Sequence, residues 1–499
     1  MFGWLTGRNR RQEATNAKVR SLALKIARRL SARYDAAQTT DENARHWAAA
    51  DDLSADASAS PEIRRVIRRR ARYELANGGY ANGMNKQKAN DLIGTGPRLQ
   101  MLTEDEDSNQ KLEDEWKRWA DSTRFARTLR TACRAKVRCG EALGVITLNR
   151  KLPTLSKIQL RLLECDRLTT PNLPPAQPNR VDGIDFDEDG NPEWYWILDE
   201  HPGGLTGMIP KATRYAAANI VHWFDEDRPE QHRGVSEFTP SIPLLANHRR
   251  FLKAVIRAAE TAAEIAAVLQ TDREYDDDES LPESMDPISL EFGSALTLPP
   301  KYTIGQVKAE HPSTTLADYN EQIVAEEARP LLMPANIATG NSSKYNYASG
   351  RLDNQSYDLA NVVDRDDLRI IVIEPVFNAW LRETLAEMSG VSPSSIDLSL
   401  YPHEWHWDTR GHVDPSKESA SQDTDLRNGS LTFPTLYAKQ GRDWRTEFFK
   451  QAEALGMTFE EFQEQLRKSL LGAVAAAPQD SPIMDQNQRE TADGTSGEE

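Results

Sequence analysis

Residues 240–271 read PSIPLLANHRRFLKAVIRAAETAAEIAAVLQT, and this stretch decides what kind of fold the chain can form. Its large apolar residues recur mostly at intervals of three, four or seven, the spacing of one face of an α-helix. Seven alanines between Ala254 and Ala267 would let another helix approach closely. We therefore predict one helix over residues 240–271, on the order of 45 Å long at ~1.5 Å per residue.

The chain after this helix predicts a partner that returns along it. Residues 272–312 are acidic and proline-rich. Apolar and polar residues alternate near Phe292, which indicates a small insertion that contains strands. Residues 315–332 again show helical spacing, with Ser313 or Thr314 as the cap. A polar loop over 334–350 leads to a long helix over 352–388, broken or bent near Pro375.

The first half of the chain predicts a mixture of helices and short strands. Pro61, preceded by Ser60 as N-cap, opens an arginine-rich helix that ends near Gly78 and Gly79. Further helices are predicted over 112–119 and 125–137, and strands over 98–102, 141–148, 158–163, 183–186, 193–198 and 220–224. The sequence thus predicts a mainly helical α+β fold. A basic helix over 14–37, a linker or arm over 49–60 and a disordered acidic tail over 477–499 complete it.

Composition narrows the class of protein. The chain has 499 residues, enough for two to four compact units, yet only 38% are hydrophobic. Much of it is therefore expected to be exposed helix, subunit contact or flexible end. No apolar run reaches 18 residues and the N-terminus lacks the order of a secretory signal, so we expect no membrane partner and synthesis in the cytoplasm. Three cysteines are too few and too odd in number for a disulfide framework.

The net charge of −16 argues against a protein that grips DNA over its whole surface. The charge is uneven, because the first hundred residues hold 19 Lys and Arg against 10 Asp and Glu. This uneven distribution of charge suits a partner that binds at one place and is repelled elsewhere. An ordinary solvated surface with chance clustering would give the same count.

Motifs for metals and catalysis are incomplete. Asp185 to Gly190 begins like a calcium loop, but the twelfth position is Trp196 and the flanks alternate like strands, so we predict a hairpin turn. His403 to His406 is one residue short of the zinc motif His-Glu-x-x-His, and Cys133 and Cys139 lack ligand spacing. The sequence contains neither a P-loop nor a Gly-x-Ser-x-Gly elbow. We expect no metal, no cofactor and no catalytic residue.

Five blocks in order along the chain resemble the lambda-like family of bacteriophage portal proteins. They are RRARYELANGGYANG (69–83) with LIGTGPRLQ (92–100); GIDFDEDG (183–190) with WYWI (194–197) and HPG (201–203); HWF (222–224) with RGVS (233–236); NYASGR (346–351); and VDPSKESA (413–420) with GSLT (429–432) and GRDW (441–444). The resemblance covers roughly residues 30–455, and the two ends match nothing in the family.

The resemblance implies a portal fold, assembled as a ring with stem helices, a clip and a helical crown. It assigns residues 61–239 to an α+β wing, 240–271 to a stem helix, 272–312 to the clip, 313–333 to a second stem helix, 334–350 to a tunnel loop, 351–414 to the wing spine and its return, and 415–476 to the crown. The residues themselves predict an N-terminal arm and basic helix over 1–60 and a disordered acidic tail over 477–499.

The family role implied is that of a head–tail connector at one capsid vertex of the virion, through which double-stranded DNA is packaged and ejected. The expected partners are further copies of the chain, twelve in a ring, the DNA itself, the terminase large subunit, the major capsid and scaffold proteins, and head-completion or adaptor proteins. The resemblance places the DNA channel at Asn341, Ser342, Ser343, Lys344 and Arg351, and motor docking at Asp276, Asp277, Asp278 and Glu279. For Lys344 we expect passing contact with phosphates, although an ordinary exposed lysine fits the same sequence.

Two other classes of protein remain as alternatives. A carboxylate–metal nuclease would need acidic residues on rigid elements, whereas most of the acids here are predicted in loops and the tail. A monomeric helical adaptor would leave the long alanine-rich helix and the low apolar content unexplained. Ring assembly explains both, because contacts between subunits bury the remaining faces.

Overall fold

A computed structural model describes residues 44–170, 179–205, 210–264, 268–271, 302–305, 315–408, 415–440 and 442–474. The chain divides into two compact units, residues 1–60 and 61–499. In the first unit, helix α1 (Ala55–Ser58) is capped by Ser54, whose hydroxyl accepts the N–H of Ala57 at 3.3 Å. The segment predicted as a linker or arm therefore contains a helical turn. The basic helix predicted over 14–37 and the tail lie outside the described residues.

The second unit is a mainly helical α+β structure with small antiparallel sheets. Its helices are α2 (Pro61–Asn77), α3 (Gly79–Ile93), α4 (Glu106–Thr123), α5 (Phe125–Cys139), α6 (Ile242–Glu264), α7 (Leu316–Ala328), α8 (Ala335–Thr339), α9 (Tyr347–Leu368), α10 (Glu374–Ser389), α11 (Pro415–Asn428), α12 (Phe433–Lys439), α13 (Trp444–Leu455) and α14 (Phe459–Val474). Within the described residues, none of the helices is both long and apolar enough to cross a bilayer.

Within the described residues, the strands form four separate sheets. They are β1 (Arg98–Met101), β2 (Glu141–Leu148), β3 (Ile158–Leu163), β4 (Arg180–Val181), β5 (Ile184–Phe186), β6 (Pro192–Leu198), β7 (Ala212–Ala216), β8 (Ile220–Phe224), β9 (Val268–Thr271), β10 (Tyr302–Gly305) and β11 (His403–His406). Their orders are β1–β11, β3–β2–β8, β4–β5–β6–β7 and β9–β10. The strands predicted over 141–148, 158–163 and 220–224 are confirmed residue for residue. The second alternates apolar and polar residues, and the other two are short runs rich in β-branched or aromatic residues.

The main core is built from aromatic rings at the meeting point of α4, α5, α10 and β11. Trp116 lies 4.7 Å from Trp119 and 5.0 Å from Trp380 between ring centroids, and Phe377 contacts Trp116 edge-on at 5.5 Å. The Trp119 indole N–H donates to the carbonyl of Ile158 at 2.8 Å, which ties the helices to β3. Edge-to-face packing of this kind adds to the burial of apolar area, so this cluster anchors the return of the chain through α10.

A buried ion network connects α2 to the sheet β3–β2–β8. Glu141, the first residue of β2, accepts hydrogen bonds from Arg68 and, at 2.8 and 2.6 Å, from Arg233. His222 Nε2 lies 2.9 Å from the same carboxylate. Burial alone would raise the pKa of Glu141, but the charge and hydrogen bonds of Arg233, with His222 and Arg68, hold that pKa well below its usual value.

Asp182 adds a second carboxylate to this network. It accepts a hydrogen bond from Arg233 Nη1 at 2.9 Å and pairs with Arg64 of α2. Arg233 is only 1% exposed, so its charge is fully removed from water. Guanidinium and carboxylate groups at this depth are tolerated only when each is compensated and hydrogen-bonded.

Two glycines bring the backbone segments of this network together. Gly140 ends α5 with φ at 90°, and a Cβ there would overlap the backbone of Val235. A Cβ on Gly234 would in turn overlap the carbonyl group of Gly140. Because neither residue has a side chain, the segment around Arg233 lies directly against the start of β2.

Three sequence predictions need correction. The helix predicted over 240–271 ends at Glu264, and Val268–Thr271 is strand β9, which pairs with β10. β-branched residues in that stretch favour the strand once a partner strand is present. The polar loop over 334–350 contains helix α8. Helix α3 was not predicted, because its two glycines and asparagine-rich sequence resemble a loop.

The break or bend predicted near Pro375 is observed as an interruption of the α-helix by a π-turn. Residues Arg369–Ile373 form a π-helical turn between α9 and α10, and Pro375 is in the first turn of α10. Proline has no N–H to donate and its ring crowds the preceding turn, so a widened turn relieves the conflict. The two helices thus follow one another without a loop between them.

We expect Glu141→Gln to destabilise the fold strongly, because Arg68 and Arg233 share this carboxylate and the buried cluster would lose a negative charge that both guanidinium groups need. The loss of unfolding free energy should be about 3–5 kcal/mol, measured by chemical denaturation of the full chain. The matched control is Arg427→Ala, which breaks an exposed ion pair with Asp423 at 2.8 Å and should cost less than about 1 kcal/mol. Equal, small losses in both variants would contradict this account.

Candidate functional site

The loop after α8 carries four of the residues predicted to face a channel. Gly340 closes α8 with φ at 68°, and the N–H of Asn341 then donates to the carbonyl of Asn336 at 3.1 Å. A turn follows in which the Tyr345 N–H donates to the carbonyl of Ser342, also at 3.1 Å. All four residues are exposed: Asn341, Ser342, Ser343 and Lys344.

Lys344 is tied to α7 by two carboxylates. Its ammonium group pairs with Asp318 and, at 2.7 Å, with Glu321. These hydrogen bonds, that of Asp318 first, raise the pKa of Lys344. The group of three carries a net charge of −1, so the lysine is not an isolated cation, and it fixes the loop to the helix.

Arg351 differs from Lys344 in this respect. It lies in the first turns of α9, whose N-cap Asn346 accepts the Ser349 N–H at 2.9 Å. Its side chain is exposed and has no acidic partner among the described residues. The uncompensated positive charge of this region is therefore that of Arg351. The predicted docking acids at 276–279 lie outside the described residues.

A buried polar cluster joins α6 to α7 beneath the loop. His248 Nδ1 lies 3.0 Å from Glu327 Oε1, and His248 Nε2 lies 2.6 Å from Asn320 Oδ1. Asn320 also donates to the hydroxyl of Tyr80 in α3 at 3.2 Å, and the Tyr80 and His248 rings are stacked. Glu327 is fully buried, so this cluster fixes how the two helices leave the body of the protein.

The arginine-rich helix α2 has two distinct faces. The inner arginines are spaced four apart and are bound to carboxylates of the same chain, in the network described above and at Asp166. The inner set is therefore used within the chain: Arg64, Arg68 and Arg72. The outer set is exposed and has no ion pair among the described residues: Arg65, Arg69 and Arg70.

One group among the described residues has the composition of a metal site. Glu164, Asp166 and His201 bring their ligand atoms close together. Arg72 already pairs with both acids, and Nδ1 of His201 accepts the N–H of Gly203 at 2.9 Å. Nε2 of a neutral ring then carries the proton, so it faces the acids as a donor and not as a ligand. The group fits an ion-pair cluster better than a metal centre.

The calcium-like segment is a hairpin turn, as predicted. Asp185 pairs with Arg180 and accepts the indole N–H of Trp196 at 2.9 Å. Asp187 instead accepts the backbone N–H of Asn191 at 2.7 Å, which closes the turn between β5 and β6. The two carboxylates are used in separate interactions, so they do not form a shared cation site.

The zinc-like segment is strand β11. His403 lies 3.2 Å from Glu374 and His406 lies 2.6 Å from Gln100, with each distance measured from Nε2 to a side-chain oxygen. Residues three apart in a strand point to opposite faces. The two histidines therefore cannot bind one ion together, and they serve to pair elements of the fold.

The roles of the buried residues in this region were not predicted from the sequence. The signals were present: Arg64, Arg68 and Arg72 follow the spacing of one helical face, and His248 interrupts the apolar face of α6. The acidic partners Glu141 and Glu327 gave no comparable signal, because each is far from its partner along the chain.

We expect His248 to make stability depend on pH. Its hydrogen bond to Glu327, with that to Asn320, raises its pKa against the opposing effect of burial. The stabilisation is fully present below about pH 6.5 and is lost as pH rises through the folded pKa. The gap in Tm between wild type and His248→Gln should therefore narrow from acid to alkaline pH. His406, whose pKa burial lowers, is the control, since the gap for His406→Gln should widen. If the two Tm differences changed with pH in the same direction, the pKa shift assigned to His248 would be contradicted.

Comparison with known proteins identifies the family of the chain. A family model described as phage portal protein, lambda family, matches residues 40–358. A curated relative, the probable portal protein of Halomonas phage phiHAP-1, is 26% identical over 418 residues, which cover 76% of this chain and 77% of the relative.

Solved structures with similar chains come from particle necks and virions. One, the neck of a native GTA particle computed with C12 symmetry, has a TM-score of 0.42 and 14% identity and covers 76% of this chain and 93% of its own. Another, the virion of a native gene transfer agent particle, has a TM-score of 0.41 and 14% identity, with 80% and 94% covered. Because the family model spans more than half of the sequence, the chain belongs to the lambda family of phage portal proteins.

Proposed function

We propose that this chain forms a ring, of twelve copies, around the channel at one capsid vertex through which viral double-stranded DNA is packaged and ejected. The observation that carries the proposal is the family match over residues 40–358. That range includes the helix pair α6 and α7, the loop between α8 and α9, and most of α9. The relative in phage phiHAP-1, described as a probable portal protein, supports the same role.

In this proposal α6 and α7 are the stem helices, and the segment between them is the clip. The two helices contact each other through Phe251 and Tyr319, whose ring centroids are 5.3 Å apart. The polar cluster around His248 and Glu327 closes the base of the pair. Residues 334–350 are the tunnel loop, α9 and α10 form the spine of the wing (61–239 and 351–414), and helices α11 to α14 form the crown.

The electrostatics of the tunnel loop suit a conduit. A duplex carries one negative charge per ~1.7 Å, and a lining with many free cations would hold it by releasing counterions. The chain has a net charge of −16, and Lys344 is already balanced by Asp318 and Glu321. We propose that five residues face the DNA: Asn341, Ser342, Ser343, Lys344 and Arg351. Each subunit's loop would then make only a weak contact with the DNA phosphates.

The proposed role is mechanical and not catalytic. Among the described residues, the acidic group with metal-site composition is occupied by Arg72, which argues against a nuclease. The partners we propose are the terminase large subunit at the clip acids 276–279, the major capsid and scaffold proteins around the wing, and head-completion or adaptor proteins after packaging. The site of action would be the portal vertex of the virion, after synthesis in the host cytoplasm.

Assembly is the first expectation to test. Native mass spectrometry of the purified full chain should give a species near twelve times 56.1 kDa, and negative-stain images of the same sample should show a central hole. Cyclic assembly of identical subunits requires both results. A strict monomer at high concentration, also in the presence of capsid and scaffold proteins, would overturn the proposal and favour a monomeric adaptor.

Lys344 can be tested with variants of opposite charge effect. If it contacts phosphates, Lys344→Ala should lower retention of packaged DNA, and Asp318→Asn with Glu321→Gln should raise it by freeing the ammonium group. If the lysine only ties the loop to α7, both variants should impair packaging alike. That result would contradict a phosphate contact by Lys344. Lys450→Ala, which removes an exposed lysine paired with Glu447 at 2.8 Å, is the control and should behave as wild type. None of these variants should change Tm appreciably, because exposed ion pairs add little stability.

A further inference from the structure

Helix α9 exposes a line of large apolar side chains. Leu352, Leu359, Val363 and Ile370 follow one another at intervals of seven, four and seven residues, and Val362 lies beside them. Their exposed fractions range from 52 to 67%. Since a helix turns once every 3.6 residues, these positions form a nearly straight stripe along the helix and the following π-turn. Four such residues in one line, with a fifth beside them, are not scattered surface residues, and they mark a contact face.

The opposite face of α9 is already satisfied by the chain itself. Tyr357 and Leu368 are buried in the main core. Lys88 of α3 donates to Asn361 at 2.9 Å and pairs with Asp364 at 2.7 Å. The helix is therefore firmly oriented by its inner face, and the apolar stripe is its outward side.

The borders of the stripe carry an excess of negative charge. Asp353, Asp366 and Asp367 are exposed next to it. Of the two arginines at the other border, Arg369 is paired with Asp366 at 2.8 Å and lies 3.6 Å from Glu374, so Arg351 is the remaining cation. A partner for this face should be apolar in part and basic at its edge.

The outer face of α2 has the matching properties. Arg65, Arg69 and Arg70 are exposed and have no ion pair among the described residues, and Ile63 on the same helix is 42% exposed. Helix α3 contacts both α2 and α9. The two faces therefore belong to different helices that flank the same element. A ring that closes head to tail needs two such unlike surfaces on every subunit.

We propose that the apolar stripe of α9 docks on the outer basic face of α2 of a second copy of this chain, and that this pairing connects neighbouring subunits. The inference rests on the proposed ring function and adds the two surfaces that build it. Charge complementarity sets the register, since the free arginines meet the exposed aspartates, and burial of the stripe supplies the apolar contact.

The test uses full-length variants with one face altered in each. The stripe variant carries Leu359→Asp and Val363→Asp, and the basic-face variant carries Arg65→Glu and Arg69→Glu. Leu148→Asp, at a leucine of β2 with 64% exposure, is the matched control. We expect both variants to lose the ring in native mass spectrometry and to keep the wild-type Tm, whereas the control keeps the ring.

Mixing distinguishes this pairing from others. Each variant retains the face that the other has lost, so a 1:1 mixture should give mixed dimers after chemical crosslinking and no rings. If the stripe variant alone formed rings, the proposal would be overturned, and the stripe would instead bind another partner, such as the capsid shell. Absence of mixed dimers, at concentrations where wild type assembles fully, would show that these two faces do not meet. If wild type itself forms no ring, the proposed function fails instead.

Discussion

The compensation of charge around Glu141 is the constraint on which the rest of the fold depends. One carboxylate at the start of β2 binds Arg68 from α2, Arg233 from the segment before α6, and His222 from β8. Arg233 leads within a few residues to Ser236, whose hydroxyl donates to the carbonyl of Val137, and then to α6. The direction in which the long helix leaves the body is thus fixed by a buried ion pair that two facing glycines make possible.

The aromatic core and the ion network stabilise the fold in different ways. Packing of Trp116, Trp119 and Trp380 holds the helices α4 and α10 together without directional bonds. The charged network is directional, because a guanidinium group must meet carboxylates in fixed geometry. Its contribution is therefore to choose one arrangement of α2 and the sheet among those that the core alone would accept.

Much of the fold was predictable because it is encoded in local periodicity. Strand β3 alternates clearly, β2 and β8 are short runs rich in β-branched or aromatic residues, and helices α4 and α5 end where Arg124 and Gly140 adopt positive φ. Strand β9 could not be predicted, because a four-residue apolar stretch after a helix continues the helical pattern until a pairing strand is known.

The polar loop that carries Lys344 was predicted, but the charge balance at the lysine was not. The loop with Lys344 is exposed as expected, yet its partners Asp318 and Glu321 are more than twenty residues away in sequence. Only three-dimensional proximity reveals that the lysine is balanced. The same holds for the arginines of α2, whose spacing separates two faces but does not say which acids meet the inner one.

The balanced state of Lys344 has an entropic consequence. A free lysine that meets a polyanion lets condensed small cations escape into bulk solution, and this gain in mixing entropy is the usual source of attraction. At Lys344 the incoming phosphate would have to displace carboxylates that are covalently part of the protein and cannot diffuse away. Any small cation that leaves the DNA is offset by one attracted to the released carboxylates, so in the proposed channel a contact at Lys344 would gain little from counterion release.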